Sequence, residues 1–237
     1  MLKSAVKHLF HSIGYDIRKY DPHPPNYLAM SLRAHGINLI FDVGANIGQF
    51  ATGLRGLGYT GRIVSFEPLA EEWNRLYEAG KADPLWEVAP RAAIGSEDGE
   101  IEMHRAGNSW SSSALPMLDA HLNAAPESAY TGFERAPLRR LDSAGSEYLR
   151  PDSKLVIKID TQGFEHEVIK GSPKLLGAAA GVHIELSMVP LYQGQVLYDD
   201  LIAQLKSLGF KLWAFDPIFF DQKSGRLLCA DATFYRD

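Results

Sequence analysis

The sequence predicts an α/β fold in which helices cover both faces of a mostly parallel, doubly wound sheet. Three observations predict it. Short apolar, β-prone runs alternate with helical patterns along the chain, the order that builds parallel sheets. Two of the runs carry acid punctuation at their ends: Asp42 closes the first just before the turn Gly44-Ala45-Asn46-Ile47-Gly48, and Glu67 caps the second. The chain has 237 residues, 46% of them hydrophobic and 22% charged, which suffices for one sizeable core.

Each element follows from local signals. The first strand spans 38–43, and a helix from 47 to 57 gives way to a turn bracketed by Gly58 and Gly61. The second strand is 62–66; Pro68 suits the start of a helix that runs to 79. Residues 86–94 read as a third strand, with Pro90 marking a bulge or an edge. An extra short strand over 100–104 pairs with it after the turn Glu97-Asp98-Gly99. Residues 105–140 break the rhythm with prolines and a serine run, as lids and binding loops do. Then follow a strand at 155–159, a helix over 164–176 interrupted at Gly171 and Pro173, a strand at 182–186 and a helix over 197–208 closed by Gly209. Strands 210–215 and 227–235, joined through Pro217 and Ser224-Gly225, form an antiparallel hairpin at one edge. Seven strands ending in such a hairpin form a Rossmann-like sheet, the architecture of class I methyltransferases.

Residues 1–36 are expected to be a helical extension packed on the core, because Leu2, Val6, Leu9, Phe10 and Ile13 share one helical face. An interfacial membrane helix edged by Lys3 and Lys7 is the alternative. Residues 37–237 form the main domain, with the lid-like insertion near 105–140. No apolar run reaches the roughly 20 residues needed to span a bilayer, and the first ten residues are too interrupted for a secretory signal. The net charge of −5 argues against bulk nucleic-acid binding. Cys229, the only cysteine, forbids an internal disulfide and suits a reducing, cytoplasmic setting. A homo-oligomer is compatible with all of this.

The glycine turn discriminates between cofactors. A dinucleotide site wants Gly-x-Gly-x-x-Gly, so that backbone can approach a pyrophosphate; here the middle glycine is Asn46. A carboxylate at Asp42 would repel a pyrophosphate but attract the ammonium and sulfonium end of S-adenosylmethionine. Glu67, about 20 residues on, stands where an acid accepts from ribose hydroxyls. These residues favour S-adenosylmethionine over a nicotinamide dinucleotide and an oxidoreductase function.

With those pieces in place, the chain resembles the FkbM family of S-adenosylmethionine-dependent methyltransferases. The matching segments are Asp42-Val43-Gly44-Ala45-Asn46-Ile47-Gly48-Gln49-Phe50, Phe66-Glu67-Pro68, Ala93-Ile94-Gly95, Ser111-Ser112-Ser113, Arg140-Leu141-Asp142, Lys158-Ile159-Asp160-Thr161-Gln162-Gly163-Phe164-Glu165 and Ile184-Glu185. The resemblance implies methyl transfer to a hydroxyl of a sugar, glycan, glycosylated metabolite or polyketide-like product. It places the cofactor against Asp42, Gly44, Ala45, Asn46, Gly48, Gln49, Phe50, Glu67, Pro68, Ala93 and Asp160.

Methyl transfer to a hydroxyl needs the acceptor oxygen in line with the methyl and a group to take its proton. Asp160 and Glu185 close consecutive strands and are expected to face a common space. Either they hold Mg²⁺, which would acidify the acceptor hydroxyl, or Asp160 orients the cofactor and Glu185 binds the acceptor directly. Gly163 stands where metal-dependent methyltransferases of this fold carry a base, a departure from their pattern. Glu165, His166 and His183 are the candidate bases, and Lys158 in a buried strand needs a carboxylate partner, which gives it a positioning role. Asn108, Trp110, Ser111, Ser112, Ser113 and Tyr192 are the candidate acceptor contacts, offering hydroxyls, an amide and an aromatic face. A non-catalytic scaffold and a protein or nucleic-acid methyltransferase are the remaining alternatives.

Overall fold

The computed structural model describes residues 10, 12–14 and 26–236. The amphipathic pattern expected around residues 2–13 lies largely outside the described residues. Helix α1 (Tyr27–Ala34) opens on Asn26, whose side chain accepts from the Ala29 amide, and it buries Leu32 against the core. Its Ser31 hydroxyl meets Tyr235 Oη at 2.8 Å, tying the helix to the last strand.

The main sheet has seven strands. Five are parallel: β1 (Leu39–Val43), β2 (Arg62–Phe66), β3 (Trp86–Val88), β7 (Leu155–Ile159) and β8 (Gly181–Ser187). The antiparallel pair β9 (Lys211–Phe220) and β10 (Leu227–Tyr235) completes the order β3-β2-β1-β7-β8-β10-β9. Every residue of β1 and β7 is buried, as expected of central parallel strands with both faces covered. Strand alternation divides the core. Leu39, Phe41, Val43, Ile157 and Ile184 pack towards α6 (Glu165–Lys170), α7 (Pro173–Ala178) and α8 (Tyr198–Ser207). Ile40, Ile63 and Val156 pack on the opposite face, towards α1, α2 (Gln49–Gly56) and α3 (Ala70–Gly80).

A second sheet of three strands was not expected. It contains β4 (Ala93–Gly95), β5 (Gly99–Ala106) and β6 (Tyr130–Arg140) in the order β4-β6-β5. The single strand expected over 86–94 is therefore two: Pro90 cannot donate to a ladder, so the chain leaves the main sheet after Val88 and joins the second sheet at Ala93 beside Leu138. Strand β5 pairs antiparallel with β6, not with residues 86–94. The stretch 105–140 is correspondingly less irregular than its composition suggests. It holds α4 (Asp119–Ala124), a short 3-10 turn at Pro126–Ser128 and all eleven residues of β6; β6 leads into α5 (Leu141–Gly145). Helices α6 and α7 are separated at Gly171-Ser172, with Pro173 opening the second, as the sequence indicates. Among the described residues, no helix is long and apolar enough to cross a membrane.

Candidate active site

A polar row crosses the buried middle of the sheet on the α2 face. Register places Ser65 beside Asp42, Asp42 beside Lys158, Lys158 beside His183 and His183 beside Thr233. Trp86 Nε1 donates to Ser65 Oγ at 3.0 Å, and Ser65 donates to Asp42 at 3.3 Å. Lys158 Nζ lies 2.9 Å from Asp42 and 3.5 Å from Asp160, and donates to the Gly44 carbonyl at 3.0 Å. Burial alone would lower the Lys158 pKa; Asp42 and Asp160 outweigh it and hold the ammonium charged. His183 gives or accepts a hydrogen bond with Thr233 Oγ1 at 2.9 Å, and burial, then Lys158, presses its pKa down to about 4.

Beyond this row, at the carboxyl ends of the parallel strands, stand Asp160, Glu185 and Asp231. Asp231 is directly opposite Glu185 across the β8–β10 pair. Gln162 Nε2 donates to Asp160 at 2.9 Å and to Glu185 at 2.8 Å, while its carbonyl oxygen accepts from Tyr192 Oη at 2.7 Å. Burial raises Glu185 well above the usual carboxylate range, helped by Asp160 and Glu165; burial and Asp160 push Asp231 up to about 7.

Two cavities flank these acids. The first, of about 250 Å³, runs from Gly44, Asn46 and Glu67 over Pro68, Ala93 and Met103 to Ser109, Trp110 and Ser112. The second, of about 260 Å³, lies between the row and the first turn of α2, against Ala45, Phe50, Lys158, His183 and Asp231. Gln49, Asp160 and Glu185 line both.

The first cavity fits a nucleoside cofactor. Glu67 accepts from the Asn46 amide at 2.8 Å and from the Leu69 amide at 2.9 Å, and burial pushes its carboxyl up to about 7. Each oxygen keeps a lone pair for a ligand hydroxyl. Asn46, in the left-handed region at φ 48°, keeps a buried side-chain carbonyl oxygen without a partner on this wall. Gly44 is required by geometry: at φ 78°, a Cβ there would stand 1.8 Å from the Asp160 carbonyl oxygen.

Several expected roles change. Asp42 is fully buried and neutralised by Lys158; it points into the sheet, because its strand position assigns it to the α2 face, and it lines neither cavity. Gly48 serves packing, since a Cβ there would meet the Trp86 ring at 2.6 Å. Ala45 and Phe50 face the second cavity, not the first. Glu165 is spent on the 161–163 loop, accepting from the Thr161 and Gly163 amides and the Thr161 hydroxyl; its carboxyl is pushed by burial to about 7. His166 meets Gln204 on α8, away from both cavities. In the lid, Asn108 and Ser111 bond to each other and to Ser128, and Ser113 donates to the Gln162 carbonyl at 2.6 Å. Tyr192 is buried, its hydroxyl on Gln162. Trp110 and Ser112 remain on the wall of the first cavity.

The Mg²⁺ site does not fit. Asp160 and Glu185 do come together, but the space between them holds the Gln162 amide, an ammonia-like donor pair where a cation would need lone pairs. Among the described residues, no group of three or more His, Cys, Asp or Glu side chains is arranged to hold a metal. Gln162 and Asp231 are the site residues that sequence reasoning missed. Gln162 stood inside a matched segment between two acids, a signal that went unused; Asp231 carries no local motif.

Fold, glycine turn and ribose-type acid together define a Rossmann-like domain with a cleft suited to a nucleoside. The model of the FkbM methyltransferase domain matches residues 42–212, and the chain belongs to that family. No curated protein matches the sequence. Among solved structures, the methyltransferase FkbM from Methylobacillus flagellatus KT aligns with a TM-score of 0.51 at 15% identity, over 83% of this chain and 43% of that one. TehB from Haemophilus influenzae aligns at 0.46 and 11% identity, over 92% of this chain and 65% of that one. A SAM dependent methyltransferase from Aquifex aeolicus aligns at 0.43 and 14% identity, over 91% and 98%. The chain thus spans less than half the length of the Methylobacillus protein whose fold it shares.

Proposed function

We propose that this protein is an O-methyltransferase acting on a hydroxyl of a sugar, glycan or glycosylated metabolite. One observation carries the proposal: Glu185, a carboxylate of raised pKa, stands on the wall common to both cavities beside Asp160. Glu67, Asn46, Gly44, Gln49, Pro68 and Ala93 would hold the cofactor. When bound, S-adenosylmethionine supplies a methyl carbon made electrophilic by its sulfonium. Asp160 orients, and Glu185, a carboxyl made more basic by burial, accepts the acceptor hydroxyl's proton. Lys158, 3.5 Å away, holds Asp160 in place. Tyr192 and Gln162 fix the Glu185 carboxylate against drift.

A screen of radiolabelled methyl transfer to glycans, hydroxylated small molecules and peptides tests this. Label is expected in glycans or glycosides, and label confined to peptides would overturn the assignment. Glu185→Gln should lower kcat by roughly 10²–10⁴ with the affinity for S-adenosylhomocysteine unchanged. Activity should survive excess chelator, because the Gln162 amide already bridges Asp160 and Glu185 where a metal would sit.

A further inference from the structure

The first cavity carries the cofactor-type groups, so the acceptor needs a place of its own. The geometry points to the second cavity as the acceptor pocket, shaped for a single uncharged polyhydroxylated ring such as one sugar unit. This rests on the methyl-transfer assignment above and deepens it.

Position comes first. The two cavities touch only through Gln49, Asp160 and Glu185. Ligands in each would meet at the strand-end carboxylates, where the proton must be taken. The lid does not compete for the role, since the side chains of Asn108, Ser111 and Ser113 already bond within the protein.

The chemistry of the walls comes second. The Phe50 and His183 rings stack at 5.9 Å and 22°, giving an aromatic platform on which the apolar face of a sugar ring can lie. Asp231 and Glu185 stand side by side on the same sheet face, two residues along their strands from Thr233 and His183, with Cβ atoms of such a register pair roughly 4.5–5.5 Å apart. These carboxyls offer several acceptor oxygens, and a donor when protonated, and a ring bearing several hydroxyls can satisfy both. Three acids against one Lys158 disfavour a phosphorylated or carboxylated ring.

A third observation is independent of the acids. His183 is 7% exposed, and its Nδ1 is used by Thr233. Its Nε2 stands 3.8 Å from Asp231, beyond hydrogen-bond reach, on the cavity wall. Facing the cavity, that ring nitrogen is free to pair with a ligand hydroxyl. The volume of about 260 Å³ lies just below the usual range of small-molecule pockets, roughly 300–1,000 Å³, and suits one ring rather than an oligomer.

The experiment uses the full chain saturated with S-adenosylhomocysteine, probed with the methyl glycosides of glucose, galactose, mannose and rhamnose by saturation-transfer NMR. At least one glycoside is expected to bind. Asp231→Asn and Phe50→Ala should each weaken that binding tenfold or more, while S-adenosylhomocysteine affinity, measured by calorimetry, moves less than twofold. Loss of S-adenosylhomocysteine affinity in Asp231→Asn would mean that the pocket houses the cofactor's amino-acid end, and would overturn the proposal. Failure of all four glycosides to bind would do the same. A wild-type chain that does not bind S-adenosylhomocysteine would instead remove the methyl-transfer assignment itself.

Discussion

Glu67 shows how one buried carboxyl couples binding to pH. Burial raises it to about 7, and ligand hydroxyls that donate to it favour its ionised form. Below about pH 7 the carboxyl must first lose a proton, so S-adenosylhomocysteine affinity should fall as pH drops, by up to tenfold per unit. Calorimetry at pH 5.5, 6.5 and 7.5 reads this, with proton release visible as a dependence on buffer ionisation heat. Glu67→Gln should remove the pH dependence and weaken binding by on the order of 1–3 kcal/mol. Gln162 acts on Glu185 in the same sense as those hydroxyls act on Glu67. Its amide donates to the carboxylate and favours the charged form, so Gln162→Ala should move the rising limb of the kcat–pH profile to higher pH. An unmoved limb would remove Gln162 from the proton balance. The place of Glu67 on the wall of the first cavity was legible in the sequence, because it follows from spacing to the glycine turn. Asp42 was misread for a physical reason: strand position fixes which face a side chain takes only once the neighbouring strands are known, and the neighbour that neutralises it, Lys158, lies far along the chain.

The lid is an element tied down by both backbone bridges and side-chain bonds. Ser113 accepts from the Leu115 amide at 2.9 Å and donates to Gln162, Ser109 receives the Asn46 amide at 3.3 Å, and Tyr130 Oη donates to the Leu115 carbonyl at 2.7 Å. Ser113→Ala leaves the Leu115 amide without its side-chain partner, and should cost about 1–2 kcal/mol while raising amide exchange across residues 107–118. Exchange confined to position 115 would mean that the lid is anchored elsewhere. Much of this region escaped prediction because β6 alternates imperfectly, with Gly132 and Pro137 inside it, and because its partners β4 and β5 flank it only in space. The central strands were easier: a strand buried on both faces writes itself as an unbroken apolar run.

At the scale of the whole molecule, the carboxyls gathered at the strand ends make stability depend on pH. Glu67, Glu165 and Asp231 are each pushed to about 7, above the unfolded value of about 4.3 for Glu and lower still for Asp. A carboxyl with a raised folded pKa binds its proton more tightly when folded. The stability it contributes is complete below the unfolded value and is lost as pH rises through about 7. Without ligand, the protein should therefore lose on the order of 2 kcal/mol or more between pH 5 and pH 8, read by urea denaturation; a flat or rising profile would contradict the assigned burial of these groups.

The Asp42–Lys158 pair has a consequence for the protein's mutational history. Replacing either partner alone strands a charge inside the sheet, which typically costs about 3–5 kcal/mol, whereas replacing both by apolar groups of similar volume is often neutral. Asp42→Leu and Lys158→Met should each be severe singly and far milder together, a strong non-additivity in a double-mutant cycle. The two positions are thus free to change only in concert. Across divergent descendants of a common ancestor they should be either both charged or both apolar, a covariation imposed by electrostatics and independent of whatever ligand the strand ends hold.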